Sequence, residues 1–491
     1  MKLAIICDTH LPEKESAPQY HFLKHAVQQI KNDGIDTILS LGDISACGEW
    51  DAYQNYISII DGLKYYTLIG NSDVRNPDTA KLWTSTATSV RLSLPGRTLL
   101  GINNPYGKIS PEDRDQIETL HDGDILAMHH GLRALDSDSR TFLTELSQKR
   151  HLTILNGHHH RFQDDHTGKF RMISFRALDP DKAIGNFPTV TYLDITQDSI
   201  LLEEKYISVS SDTIQNISKF FGISCVDNHR DVTYAAANNL YGIELRCNGG
   251  NWTPDMTLVP LLNNWRTHTN GYLSIHMPNV RWKNGEIDGQ TQWMQAANYA
   301  LDVGANGLTI HPPRVTRKDM FPGSSAWNAF LNLYVQTISK MSTSMHIGIE
   351  NLHLSPGEPD NETAKFGCTP QEVCAWIDAI NAALNNRIQV GHVLDVGHAR
   401  NNGAIAQKYP ISRWYEIMGS RIEAYHIHQV VQGENEMHNH QPIENWYGPM
   451  ISYVSFFHCW ETGTLNHKPV FLEVQGSENY QKSIYAFNQN F

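Results

Sequence analysis

The sequence reads as two α/β domains in tandem, a layered α/β sandwich over residues 1–207 and a ring of eight βα units over residues 213–491. Three observations carry this reading. Short apolar runs alternate with polar helical stretches throughout, the rhythm changes near residue 210, and eight spaced apolar runs follow that change. At 491 residues the chain also exceeds what one core usually serves.

In the first half the runs Leu3–Cys7, Thr37–Leu41, Tyr65–Ile69, Asp124–Met128 and Leu152–Leu155 read as buried strands. Each leads within three residues into a polar, potentially ligating side chain. From Phe170 the pattern turns hairpin-like, with Phe170–Phe175, Thr189–Ile195 and Ile200–Ile207. The small, mostly polar Ser208–Asp212 marks the boundary.

Beyond it, apolar runs recur at Gly222–Val226, Tyr241–Leu245, Tyr272–Ile275, Gly307–Ile310, Ile347–Ile349, Val390–Leu394, Ile422–Tyr425 and Pro469–Leu472. Most are separated by segments long enough for a helix. Eight βα units in about 280 residues is the count and size of a TIM barrel.

The net charge of −13 argues against a general nucleic-acid coat protein, because phosphate affinity comes from clustered Lys and Arg. It does not exclude an enzyme acting on phosphate esters, since bound metals supply local positive charge. The seven cysteines form no CxxC pair, which reads as reduced thiols rather than a disulfide framework. The apolar N-terminal run is too short for a signal-peptide core, and no stretch reaches the ~18 apolar residues of a membrane helix. The expectation is a cytoplasmic protein with no membrane partner. Histidine stands out at 25 residues, many in tight clusters.

The strand ends of the first domain offer Asp8-Thr9-His10, Gly42-Asp43, Gly70-Asn71-Ser72-Asp73, His129-His130 and Gly157-His158-His159-His160. Two hard divalent ions a few ångströms apart need mixed carboxylate and imidazole ligands and one bridging carboxylate. Asp8, His10 and His160 are assigned to one ion, Asn71, His129 and His158 to the other, and Asp43 to the bridge. Glycines before Asp43, Asn71 and His158 allow tight turns that let the ligands converge.

In this order the blocks resemble the calcineurin-like metallophosphoesterases, whose signature runs DxH, GD, GNH(D/E), H, GHxH. The resemblance covers residues 1 to about 207 and implies a four-layer α/β/β/α sandwich, two ions (Mn, Fe or Zn), and phosphate-ester hydrolysis by metal-activated water. One position departs from the family: the His of the third block, which assists the leaving group or steadies the transition state, is Ser72. A serine is no general acid near neutral pH, so substrates with good leaving groups fit better, and His130 or His159 is the candidate replacement.

In the second half the strand ends present Glu244, His276, His311, Glu350, Asp395, His426 and Glu473, at intervals of 31–47 residues, about one βα unit each. In this fold such residues point into the active-site mouth. His398 follows the sixth strand, and His438-Asn439-His440 follow the seventh.

These motifs resemble the xylose-isomerase-like barrels, and within them the endonuclease IV branch. Glu350, Asp395, His426 and Glu473 match the superfamily's four-ligand set. His276, His311, His398 and His440 match the additional histidines of that branch. The resemblance implies one to three ions (Zn or Mn): Glu350 and Glu473 sharing ions, His276 and His311 on one, Asp395 and His426 on another, His398 and His440 on a third. The branch's Asp two residues before the last His is His438 here, and its DNA-intercalating loops have no counterpart. His353 and His428 read as rim or supporting residues, and Glu244 as a substrate contact or a structural ion pair.

The leading expectation is therefore a bifunctional metal-dependent phosphoesterase acting on a nucleotide or phosphorylated metabolite, with nucleic acid not favoured. Ser72 and His130 are the candidate catalytic groups of the first site, Glu350 and Glu473 those of the second. Two alternatives stand beside it. One makes the barrel a sugar isomerase or epimerase, with Glu350 and Glu473 as acid and base. The other is a regulatory binding protein with one degenerate site.

Overall fold

The computed structural model describes residues 1–86, 89–247, 252–433, 437–448 and 450–488. The chain divides into two compact units, Met1–Ser208 with Ser452–Ser455, and Val209–Ile451 with Phe456–Phe491. No helix among the described residues is long and apolar enough to cross a membrane.

The first unit contains two sheets. One runs in the order Ile200–Tyr206, Thr189–Ile195, Lys2–Ile6, Thr37–Ser40, Lys64–Thr67. The other runs Val90–Leu94, Arg97–Gly101, Ile125–Met128, Thr153–Asn156, Phe170–Ser174, Gln163–Thr167. Strand alternation sends Leu3, Ile5 and Leu39 of the first sheet and Leu99, Ile125, Ala127 and Leu155 of the second into one shared core. On its far face the second sheet buries Leu100, Leu126, Met128 and Ile154 with Ile117 and Leu143 of the helices Pro111–Glu118 and Ser137–Ser147. With the amphipathic helix Pro18–Asn32 this gives the expected α/β/β/α layering.

Two details depart from the sequence reading. Phe170–Ser174 does not join the later hairpin; it pairs with Gln163–Thr167, while Thr189–Ile195 and Ile200–Tyr206 form the edge of the other sheet. Gln163–Thr167 carries no apolar residue to announce it, as suits an edge strand.

The second unit is a closed barrel of eight parallel strands: Phe221–Ser224, Gly242–Arg246, Tyr272–His276, Gly307–Ile310, His346–Glu350, Val390–Asp395, Ile422–Ile427 and Val470–Leu472. All eight expected runs are strands. Two antiparallel ribbons, Arg281–Lys283 with Glu286–Asp288 and Gln429–Gln432 with Met437–Gln441, decorate the loops after the third and seventh.

Near the start of the barrel, Tyr272 and Phe471 pack together with Val393 and Ala424. Room for them comes from Gly222 and Gly242 on adjacent strands, where a Cβ on Gly222 would run into the Gly242 backbone. Gly222→Ala is therefore expected to overpack the barrel and destabilise the protein by about 1–3 kcal/mol, read by urea unfolding. An unchanged midpoint would contradict this packing account.

Candidate metal centres

In the first unit the strand Lys2–Ile6 ends just before Asp8 and His10, Thr37–Ser40 before Asp43, Ile125–Met128 before His129, and Thr153–Asn156 before His158. Parallel neighbours end at a common edge, so residues far apart in sequence meet there. Asp43 lies at the centre. Its carboxylate is 3.2 Å from His10 Nε2 and 3.5 Å from His129 Nε2, and it accepts the Ser72 N–H at 2.8 Å. Asn71 Oδ1 sits between His129 Nε2 at 3.1 Å and His158 Nδ1 at 2.9 Å. Asp8 faces His160 Nε2 at 3.7 Å and accepts the His158 backbone N–H at 3.1 Å. All seven residues assigned as ligands thus converge.

The backbone there is held in an uncommon form. Asp8, His10, Asp43, His158 and His160 all have positive φ, from 43° to 69°. Non-glycine residues in that region cost of order 1–3 kcal/mol each and cluster at functional sites. Gly70 is required for space rather than for φ, since a Cβ would collide with the Asp43 carboxylate.

Electrostatics follow from burial. Burial alone would raise the Asp43 carboxyl, but the His129 and His10 rings outweigh it and hold the group well below its ordinary range. His129 donates Nδ1–H to the Leu41 carbonyl at 2.9 Å, which turns Nε2 toward Asp43 and Asn71. His130 donates Nδ1–H to the Asn104 carbonyl, and its ring lies 4.2 Å from that of His158. Burial, then the neighbouring His129, pushes His130 down to about 4. A ring held neutral at pH 7 is a poor proton donor. Ser72 is fully buried, and it is its backbone that touches Asp43. His159 is only partly buried and lines a small cavity beside the cluster with Arg133 and Asn156.

Three supporting residues were given no role in the sequence analysis. Asp179 Oδ2 faces His10 Nδ1 at 3.3 Å, Asp73 accepts the Gly70 and Ser45 N–H groups at 2.8 Å each, and Asn104 Oδ1 accepts those of His129 and His130. Asp179 lies on a loop with no pattern of its own; Asp73 stood in the glycine-led block and was the one with a signal.

In the barrel the hub is Glu350, buried at the end of the fifth strand. Oε2 is 3.2 Å from His276 Nε2 and 3.1 Å from His311 Nε2; Oε1 is 3.4 Å from His398 Nδ1 and 3.5 Å from His426 Nδ1. Glu473 Oε2 adds contacts of 3.2 Å to His426 and 3.8 Å to His440. Asp395 faces His398 at 3.2 Å and caps the helix Val396–Arg400 by accepting the His398 N–H. The eight barrel residues assigned as ligands therefore lie around one mouth.

His398 reaches Glu350 and Asp395, and its ring lies 5.9 Å from that of His440, which faces Glu473. His428, read as a rim or supporting residue, is fully buried with Nε2 3.2 Å from Asp395. It is no rim residue, and Asp395, His398 and His428 form a potential ligand triplet. His438 is exposed on its ribbon. Glu244 meets His426 Nε2 at 2.9 Å while accepting from Ser224 and Thr309, so His426 presents Nδ1 to Glu350 and Glu473. Arg246, absent from the sequence reading, pairs with Glu473.

The donor set fits divalent ions. Both Glu350 oxygens, Asp395 Oδ2, Glu473 Oε2 and both His426 ring nitrogens are buried without a hydrogen bond and meet only ion-pair partners. Hard carboxylates mixed with imidazoles suit Zn²⁺ or Mn²⁺.

Residues 1–196 match the family model of the calcineurin-like phosphoesterase superfamily domain. The N-terminal unit is a calcineurin-like phosphoesterase domain. Membership supports a metal-dependent phosphoesterase and agrees with the position of its ligand blocks. No curated protein matches the chain. Among solved structures, endonuclease IV from Thermus thermophilus is similar over 54% of this chain and 97% of its own, at 15% identity and a TM-score of 0.37. A D-allulose 3-epimerase from Methylomonas covers 53% of this chain and 83% of its own, at 15% identity and 0.36. An archaeal phosphodiesterase covers 42% and 100%, at 12% identity and 0.27.

Glu244→Ala should release the His426 ring and weaken barrel metal affinity by about 10–100-fold, while leaving the phosphoesterase domain's ions in place. Chelator competition on the full chain reads this, and unchanged affinity would contradict the orienting contact.

Proposed function

We propose that the chain is a bifunctional metal-dependent hydrolase, with one phosphoesterase centre in residues 1–207 and a second in the barrel, residues 213–491. The substrate is a nucleotide or phosphorylated metabolite. The observation that carries this is Glu350, one carboxylate approached by four imidazoles. That donor set is larger than a single ion needs, and an isomerase working through one ion would have no use for His276 and His311. It favours hydrolysis over the sugar-isomerase reading.

When bound, divalent ions supply the positive charge that acidifies water and neutralises a phosphoryl group. The chain's own residues do the rest. In the first centre Asp43 is shared between the two ligand sets, and the Leu41 carbonyl fixes the His129 ring. Asn71 presents its carbonyl oxygen between two imidazoles. Ser72 and His130 offer no strong acid for the leaving group, so this centre suits esters whose leaving group departs as a stable anion. In the barrel Glu350 and Glu473 flank His426, whose orientation Glu244 sets, and all three stand at strand ends.

The full chain, supplied with Mn²⁺ or Zn²⁺, should release p-nitrophenol from bis-p-nitrophenyl phosphate. Asp43→Ala and Glu350→Ala should each remove part of the rate, and the double variant should lose at least about 100-fold. Metal-independent release, or a rate unaffected by either change, would overturn the proposal.

A further inference from the structure

The barrel mouth carries charge of the opposite sign to its ligands. A cavity of about 260 Å³ opens beside His311, His398 and Glu473 and is lined as well by Arg246, Arg314 and Lys365. Two of these cations are already engaged. Arg246 pairs with Glu473 and donates to Ser224 Oγ at 3.0 Å; Lys365 lies 3.5 Å from Glu358 and donates to Ser355 Oγ at 2.9 Å.

Arg314 differs. It stands three residues after His311, exposed, and its guanidinium makes no ion pair or hydrogen bond among the described residues. The same holds for exposed Arg281, whose backbone bridges to Arg314 and whose charge repels it. Several arginines of this acidic chain face acids, as in Arg114–Asp138, Arg171–Asp164, Arg176–Glu204 and Arg317–Asp360. Two like charges set side by side, with Arg314 lining the mouth, drawn to Glu350 but in no ion pair among the described residues, are stabilised by a further anion from outside. The planar fork of arginine suits the oxygens of a phosphate. A cavity of this size suits a small molecule.

We propose that Arg314, with Arg281 beside it, binds a second phosphate group of a small-molecule substrate, remote from the ester held at the Glu350 cluster. This rests on the phosphoesterase reading of the barrel and narrows its substrate to compounds bearing two phosphate groups. Arg314 is then a specificity residue, remote from the reacting atoms.

The full chain carrying Asp43→Asn, which takes away the shared carboxylate of the N-terminal centre, is loaded with Mn²⁺ and titrated calorimetrically. The probes are butanediol bisphosphate and butyl phosphate, which differ only in the second phosphate. The bisphosphate is expected to bind at least about tenfold more tightly. Arg314→Gln should abolish that advantage and Arg314→Lys should retain part of it, while butyl phosphate affinity changes less than about twofold. Equal binding of the two probes, or equal weakening of both by Arg314→Gln, would overturn the proposal. A short single-stranded oligodeoxynucleotide that binds more tightly than the bisphosphate and loses affinity in Arg314→Gln would overturn the small-molecule assignment. The readout is binding, so a persistent bisphosphate advantage without reporter hydrolysis leaves the anion site standing and removes the phosphoesterase reading.

Discussion

Buried carboxylates set the terms for both units. Asp8, Asp43, Glu350 and Asp395 are at most 2% exposed, and Glu473 is 5% exposed. A carboxylate in such a place costs several kcal/mol unless opposite charge faces it. Without a metal, that charge resides in protonated imidazoles. Burial opposes protonation of His129 and His398, yet the carboxylates beside them prevail and lift each ring to about 9. A divalent ion bound there would take the place of such protons, so metal uptake and proton release would be linked at both centres. The rest of the architecture serves this convergence: parallel strands that end at one edge, and supporting contacts from Leu41, Asn104, Glu244 and Asp179 that turn each ring the useful way.

The cost of convergence is visible in the backbone. Five of the N-terminal residues assigned as ligands sit at positive φ, and so does His440 in the barrel. Asp and His tolerate that region better than most side chains. The choice of residue at these turns is thus made twice, once by metal chemistry and once by conformation. Gly70 completes the arrangement by letting one loop lie against the Asp43 carboxylate.

Much of this was legible in the sequence because strand ends punctuate it. A buried parallel strand is an apolar run, and the first polar residue after it marks the functional edge; Asp8, Asp43, Glu350 and Asp395 all announce themselves this way. The missing parts lack that signal. Gln163–Thr167 is an all-polar edge strand, and Asp179 belongs to an unpatterned loop. His428 follows its strand by one residue and reads as a rim or supporting residue, yet the close approach of Gly397 leaves room for its ring inside. Arg246 ends an apolar run and looks like solvent-facing punctuation until Glu473, more than 200 residues later, is folded against it.

The most direct measurement is anomalous scattering from crystals of the full chain grown with Mn²⁺ or Zn²⁺, recorded above and below the metal edge. Peaks are expected on either side of Asp43, bounded by His10 and His160 in one direction and Asn71 and His158 in the other, with further peaks against Glu350. Crystals in which Asp43 and Glu350 contact only histidine rings, with no anomalous density beside either carboxylate at saturating metal, would contradict this expectation.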